Sequence, residues 1–234
     1  MNMKPGRHSL GWKAEGPRMQ LRTARLIAVV GCLGWMAAAS AQSSSTTAAT
    51  QPTVWPTKDG TVLLKNFAFG SGDTLPELKL HYLTLGTPHR DAAGHVDNAV
   101  LLLHGTGGSA HSLLNPIFSD VLFVPGGILD VAKYFIILPD DIGHGQSSKP
   151  SNGLHAHFPA YDYDDMVRSQ RMMLDKMHID HLRLILGTSM GCMQSFVWGE
   201  THPGFMDALA PFACLPVQIA GRNRMMRYMA MQAI

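Results

Sequence analysis

The chain has 234 residues, 46% of them hydrophobic and 15% charged, which suits one globular domain with a sizeable core. Its formal charge of +2 is unevenly placed: the first 41 residues hold six of the 19 Lys and Arg and one of the 17 acids, so the remainder is acidic. That balance, with no basic patch interleaved by aromatics, argues against a nucleic-acid partner.

The leader reads as a secretory signal over residues 1–41. Arg22 and Arg25 precede an apolar run of 14 residues, Leu26–Ala39, and Ala39-Ser40-Ala41 is a small-x-small cleavage site. The mature chain would begin at Gln42 and the expected location is exported, periplasmic or secreted. The apolar run is short of the about 20 residues that a membrane span needs, so no stable span is expected after cleavage. Met19 is an alternative start, since Met1–Arg18 adds nothing that a signal requires. Val30-Gly31-Cys32 is a faint lipoprotein site, with Arg25 standing too near Cys32.

Residues 42–60 read as a polar linker, rich in Ser, Thr and Ala at its start. Val62–Phe69 and Leu78–Leu83 read as strands, and the alternation of the second suggests an edge or half-exposed position. Ala99–Leu103 is a continuous apolar run, as expected of a strand buried on both faces. It ends in His104-Gly105-Thr106-Gly107-Gly108-Ser109, where backbone N–H groups are free to point at a ligand. A phosphate loop needs a Gly-Lys-Ser/Thr ending, and a dinucleotide fingerprint needs glycine at 110, which is Ala110. An oxyanion-binding loop is the reading that remains.

Tyr134–Leu138 is the next buried strand and runs into Asp140-Asp141-Ile142-Gly143-His144-Gly145, whose two aspartates read as turn formers bonding backbone N–H groups. Over Asp164–Met177, Met166, Gln170, Met173, Leu174 and Met177 fall at helical spacing and read as core packing. The strand Leu182–Leu186 then enters Gly187-Thr188-Ser189-Met190-Gly191, followed by a helix-like Cys192–Trp198. This is the strand–turn–helix context of a nucleophile elbow, with glycines at the two crowded positions and Ser189 at a helix N-terminus. Ala208–Leu215 reads as a further strand and Arg222–Ile234 as the start of a helix. Cys192 and Cys214 read as small buried apolar residues rather than a pair. Alternating strands and helices predict an α/β fold, a mainly parallel sheet with helices on both faces, and a ligand at the carboxyl ends of the strands.

Together these stretches resemble the α/β-hydrolase superfamily: His104-Gly105-x-Gly-Gly its oxyanion loop, Asp141-x-Gly143-His144-Gly145-x-Ser147 the loop after its fourth strand, and Gly187-x-Ser189-x-Gly191 its elbow. Within it, Phe158-Pro159, Asp165–Gln170, Gly187–Gln194 and the closing Gln232-Ala233-Ile234 resemble the homoserine O-acetyltransferase branch. The resemblance implies Ser189 as the acyl-accepting nucleophile, the N–H groups of Thr106 and Met190 as oxyanion hole, and a small-molecule acyl substrate. It implies residues 61–216 as hydrolase core and 217–234 as the start of a lid. In this fold the triad acid and histidine follow the serine along the chain. After Ser189 the acids are Glu200 and Asp207 and the histidine is His202, which a helix would carry about 18–20 Å away. The chain is therefore expected to hold no triad acid or histidine and to stop where the lid begins. Met231 stands where the branch's transferases carry arginine, and an export signal does not fit acetyl-CoA as donor. Both departures favour a hydrolase over a biosynthetic transferase, with a non-catalytic or fragmentary hydrolase-fold protein as the alternative.

No cofactor or metal is implied, because acyl transfer needs only side chains, N–H groups and water. His155-Ala156-His157 lacks the following Asp-His of a binuclear site and reads as a solvated loop. His104 reads as a loop-orienting residue rather than a base, and His144 is given no chemistry. Arg222, Arg224 and Arg227 form either a carboxylate-binding cluster or a solvated helix face.

Overall fold

The computed structural model describes residues 53–233. The expected signal segment, its cleavage site, Cys32 and the Ser/Thr-rich stretch lie outside these residues. Six strands form one sheet in the order β1-β2-β4-β3-β5-β6: β1 Lys58–Ala68, β2 Thr74–Leu85, β3 Ala99–Leu103, β4 Phe135–Pro139, β5 Leu184–Thr188 and β6 Leu209–Phe212. The last four in this order are mutually parallel, while β1 and β2 are antiparallel to their neighbours. The sheet is thus mixed and mostly parallel.

Chain order reverses around β3, since β4 lies on one side of it and β5 on the other. Such a reversal opens a crevice at the carboxyl ends of the central strands. The central strands face hydrophobic cores on both sides. Ala99, Leu101 and Leu103 of β3 pack in one core, with Ile137, Ile185, Met173 and Trp198; Val100 and Leu102 pack in the other, with Ile136, Leu138 and Phe123. The first core is covered by α2 (Tyr163–Lys176) and α3 (Met190–Thr201), the second by a 3-10 turn at Ala110–Leu114 and the short α1 (Pro116–Leu122). A final helix, α4 (Gly221–Gln232), has no buried residue.

Three expectations are corrected. The linker drawn to residue 60 overlaps β1, which starts at Lys58 because Lys58–Gly60 pair with Tyr82–Thr84. Strand β2 is interior: β1 takes its outer side and β4 its inner, and its alternation fades to continuous burial where β4 pairs with it. Strand β6 ends at Phe212, because Ala213 turns to φ 61°, outside the strand region. The stripe of α2 holds as core, with Met166, Gln170, Met173 and Leu174 buried.

Helix α2 is also anchored to the β1–β2 hairpin. The Asp162 carboxylate accepts from the Asp165 N–H as N-cap, and Asp165 accepts from the Gly70 N–H at 2.9 Å and from Arg168 at 2.5 Å.

Candidate active site

The carboxyl end of β5 delivers Ser189 to the sheet rim, where its side chain is exposed. The turn is crowded: a Cβ on Gly187 would strike the Gly191 carbonyl, and one on Gly191 would strike the Leu103 carbonyl. Only glycine permits both approaches. Ser189 itself lies at φ 52°, ψ −108°, a conformation costing on the order of 1–3 kcal/mol. Backbone bonds on both sides hold it there. Its N–H donates to the Phe212 carbonyl of β6 at 2.9 Å, and the Gly191 N–H donates to the His104 carbonyl at 3.1 Å. The hydroxyl makes no capping bond to α3, although serine at this position commonly does. It is not engaged as a helix cap and stands at the exposed rim.

Thr106, Ser189 and Met190 line one cavity of about 510 Å³, together with Met193, the loop Ala213–Ala220 and Arg227 of α4. The backbone N–H groups of Thr106 and Met190 meet no acceptor among the described residues. Met190 opens α3, where unpaired N–H groups and the helix dipole favour negative charge. The orientation of the Thr106 N–H follows from His104. The His104 ring donates from Nδ1 to the Gly105 carbonyl at 2.9 Å, and the Gly108 N–H donates to the same oxygen at 3.0 Å. In a trans peptide the C=O of residue 105 and the N–H of residue 106 point opposite ways. Holding that carbonyl against the ring therefore turns the Thr106 N–H to the other side of the peptide. The ring's own tautomer is fixed, since Nε2 accepts the Asp141 N–H at 3.2 Å. His104 is 1% exposed and orients the loop, as the sequence indicates. His144 lies beside it, with ring centroids 5.1 Å apart.

Behind the elbow lies a polar network that sequence reasoning missed. The Asp141 carboxylate accepts from Gln170 Nε2 at 2.6 Å and from Gln194 Nε2 at 2.7 Å. Gln170 Nε2 also donates to Gln194 Oε1 at 2.5 Å, and Trp198 Nε1 donates to Gln170 Oε1 at 2.8 Å. These groups join the loop after β4 to α2 and α3 one turn below Met190, and each is at most 2% exposed. Asp141 is thus not the expected turn former, because its carboxylate bonds side chains. The available signal was glutamine at positions 170 and 194 inside otherwise apolar helix faces, where a buried amide demands a partner. Asp140 does match the expectation, accepting the N–H groups of Ala110 at 2.6 Å and Gln146 at 2.7 Å. Burial alone would raise its pKa, but these donors and His81, 2.8 Å away, hold the carboxyl below its ordinary value.

Cys192, in the first turn of α3, and Cys214, just after β6, form a disulfide with their Cα atoms 5.9 Å apart. This corrects the reading of two unpaired apolar residues. The parallel pairing of β5 with β6, Thr188 opposite Phe212, brings the two segments together, and no sequence spacing encodes that register.

His202 caps the far end of α3 with its ring against Trp198, so it is a full helix length from Ser189. Burial, then the charge of Arg171, lowers its pKa. Asp207 pairs with His181 and Arg183, and Glu200 lines an adjoining cavity. The described lining of the Ser189 cavity contains no histidine or carboxylate. His155 and His157 sit in an exposed 3-10 turn, and no group of three metal-binding side chains occurs among the described residues. Arg227 reaches the Ser189 cavity, its Nε donating to Asn223 Oδ1 at 2.9 Å; Arg224 lines the adjoining one, and Arg222 lines neither. No described helix is long and apolar enough to cross a membrane.

Comparison with known proteins agrees with the fold. The family described as alpha/beta hydrolase fold matches residues 98–210. A Methanothermobacter thermautotrophicus protein named "Probable acyltransferase" is 36% identical over 150 residues, covering 63% of this chain and 46% of its own length. The homoserine O-acetyltransferase of Moorella thermoacetica is 36% identical over 169 residues, covering 64% and 44%. The crystal structure of an acetylester hydrolase from Corynebacterium glutamicum superposes with a TM-score of 0.59 at 27% identity, covering 67% of this chain and 44% of that one. The chain spans about half the length of these relatives or slightly less.

Proposed function

The chain is an α/β-hydrolase-fold protein of the homoserine O-acetyltransferase-like branch, and on that premise we propose that Ser189 is the nucleophile of an acyl hydrolase or acyltransferase. Its Oγ attacks the acyl carbon of a small ester or activated acyl compound. As the Oγ–C bond forms, the carbonyl electron pair moves onto oxygen, which the N–H groups of Met190 and Thr106 receive. Losing one such donor costs about 3 kcal/mol of transition-state stabilisation. Collapse expels the alcohol or thiol and leaves an acyl-serine. Water then adds to the same carbonyl and releases the acid, with an acceptor hydroxyl taking its place in a transferase.

The observation that carries this reading is the juxtaposition at one cavity of a serine held at φ 52° and two N–H groups without acceptors among the described residues. Water as acceptor is what the family resemblance implies, since Met231 stands where the branch's transferases carry arginine, though Met231 itself is exposed and lines neither cavity. The serine proton goes to a general base that none of the described lining residues supplies. That observation also favours a second reading, a non-catalytic hydrolase-fold protein. We further propose export, supported by the leader's composition and by the disulfide, which suits an oxidising compartment.

Labelling of the purified chain with a fluorophosphonate tests the nucleophile. Stoichiometric labelling that disappears in Ser189→Ala supports it. A chain that is folded by circular dichroism yet stays unlabelled shows that these residues alone do not activate Ser189 and weighs toward the second reading. N-terminal sequencing of protein recovered from an exporting host tests the leader, with Gln42 as the expected first residue.

A further inference from the structure

Ser189 belongs to a small closed ring of bonds. Its N–H donates to the Phe212 carbonyl at 2.9 Å, at the last rung of the β5–β6 ladder, where Thr188 pairs with Phe212. Cys192 follows Ser189 in the first turn of α3, Cys214 follows Phe212, and the disulfide joins the two. The ring runs from Ser189 through Met190 and Gly191 to Cys192, across the sulfurs to Cys214 and Ala213, and back from Phe212 through the hydrogen bond. Two of its residues lie at positive φ, Ser189 at 52° and Ala213 at 61°. Neither is glycine, so both conformations depend on the bonds around them.

The two sulfurs are unequal. Cys192 is 1% exposed. Cys214 is half-buried and lines the Ser189 cavity. The path that brings a substrate to Ser189 therefore brings a small thiol to Cys214. Exchange is faster when the departing sulfur is the better thiolate, and a helix N-terminus favours a thiolate. Cys192 holds that position at the start of α3.

We propose that this disulfide is a thiol-exchange switch on Ser189, opened by a small dithiol. One thiolate of the dithiol attacks Cys214 Sγ, and the electron pair of the S–S bond leaves on Cys192 Sγ. The second thiol gives its proton to the Cys192 thiolate and attacks the mixed disulfide. Cys214 leaves and takes a proton from water, and the reagent closes its own disulfide. The dithiol is oxidised by two electrons and the cysteine pair is reduced by two. With the ring open, only the strand ladder holds Phe212, and Ser189 relaxes from φ 52°. That this registers as lost reactivity rests on Ser189 being the nucleophile. Cytosolic thiols keep such pairs reduced, so on the proposed export route the serine gains its reactive form only outside.

Dithiothreitol added to the folded chain without denaturant, with acid quench and then N-ethylmaleimide in urea, tests the bond by mass. Two added maleimides are expected, at unchanged circular dichroism before the quench. A mixed disulfide trapped with 2-mercaptoethanol should map to Cys214. In the reduced chain, hydrogen exchange at the Ser189 amide, read by NMR, should quicken. Fluorophosphonate labelling should slow about fivefold or more, since the strained conformation is no longer held. The Cys192→Ala/Cys214→Ala pair should match the reduced chain in both readings and ignore dithiothreitol. A chain that labels in neither state while its Ser189 amide responds would tell against the nucleophile alone and support the switch. A bond that opens only as circular dichroism is lost, an adduct on Cys192, or a Ser189 amide unmoved by reduction would overturn the switch.

Discussion

The two sides of the cavity are built by different means. On one side, the carboxyl ends of β3, β4 and β5 and the start of α3 are buried and cross-braced, with His104, Asp141, Gln170, Gln194 and Trp198 bonded to one another or to the loops they orient. On the other, Ala213 to Gln232 contributes no fully buried residue, and Met225, Met226, Met229 and Met231 of α4 are all at least 57% exposed. That side is tied down by the β5–β6 ladder and one disulfide. The atoms proposed to do chemistry are therefore fixed by the folding energy of the core. The facing wall is free of that constraint and tolerates change.

Substitutions on the two sides should separate accordingly. The largest effect is expected at Trp198, whose indole stacks on Phe205 at 5.5 Å and donates to Gln170. Trp198→Ala should lower unfolding free energy by about 3–5 kcal/mol in urea titration, since it opens a void and orphans a buried acceptor. His104→Phe should slow phosphonate labelling about 10²–10³-fold, because the Gly105 carbonyl loses its ring donor and the Thr106 N–H its orientation. A circular-dichroism melt separates that loss from unfolding. On the opposite wall, replacing both Cys192 and Cys214 by alanine should cost up to about 3 kcal/mol, set by the 22-residue separation that the bridge closes. The same double variant should label at one rate with or without dithiol, whereas His104→Phe should keep its response to dithiol.

The smallest effect is on acid stability. The folded-state pKa of Asp140 is depressed, so its contribution is complete above the unfolded carboxyl range, near 4, and is lost as pH falls through the lower folded value. Melting temperature should fall on acidification below about pH 4. In Asp140→Asn that part of the slope should be missing.

How much of this was legible depended on whether the signal was local. The run Ala99–Leu103 and the elbow around Ser189 carry their structure in their own residues, and both were read within one or two positions. Thr106 and Met190 came from the family resemblance, and the structure lines one cavity with both of them and Ser189. The short α1 was not read: Ile117 and Val121 are exposed, so its apolar residues mark no core face, although Pro116 at its first position is a helix-start signal. The antiparallel β1–β2 pairing, the disulfide and the Asp141 network join residues 6 to 53 positions apart. Each depends on register or on helix packing, which no single stretch specifies.

The strain at Ser189 sets stability against reactivity at a single position. Glycine adopts a positive φ without a Cβ penalty, so Ser189→Gly should give a protein that melts higher than the natural one while losing every reaction proposed for it. Selection for robustness alone would remove this serine. On the proposed reading, keeping it there trades fold stability for a nucleophilic hydroxyl.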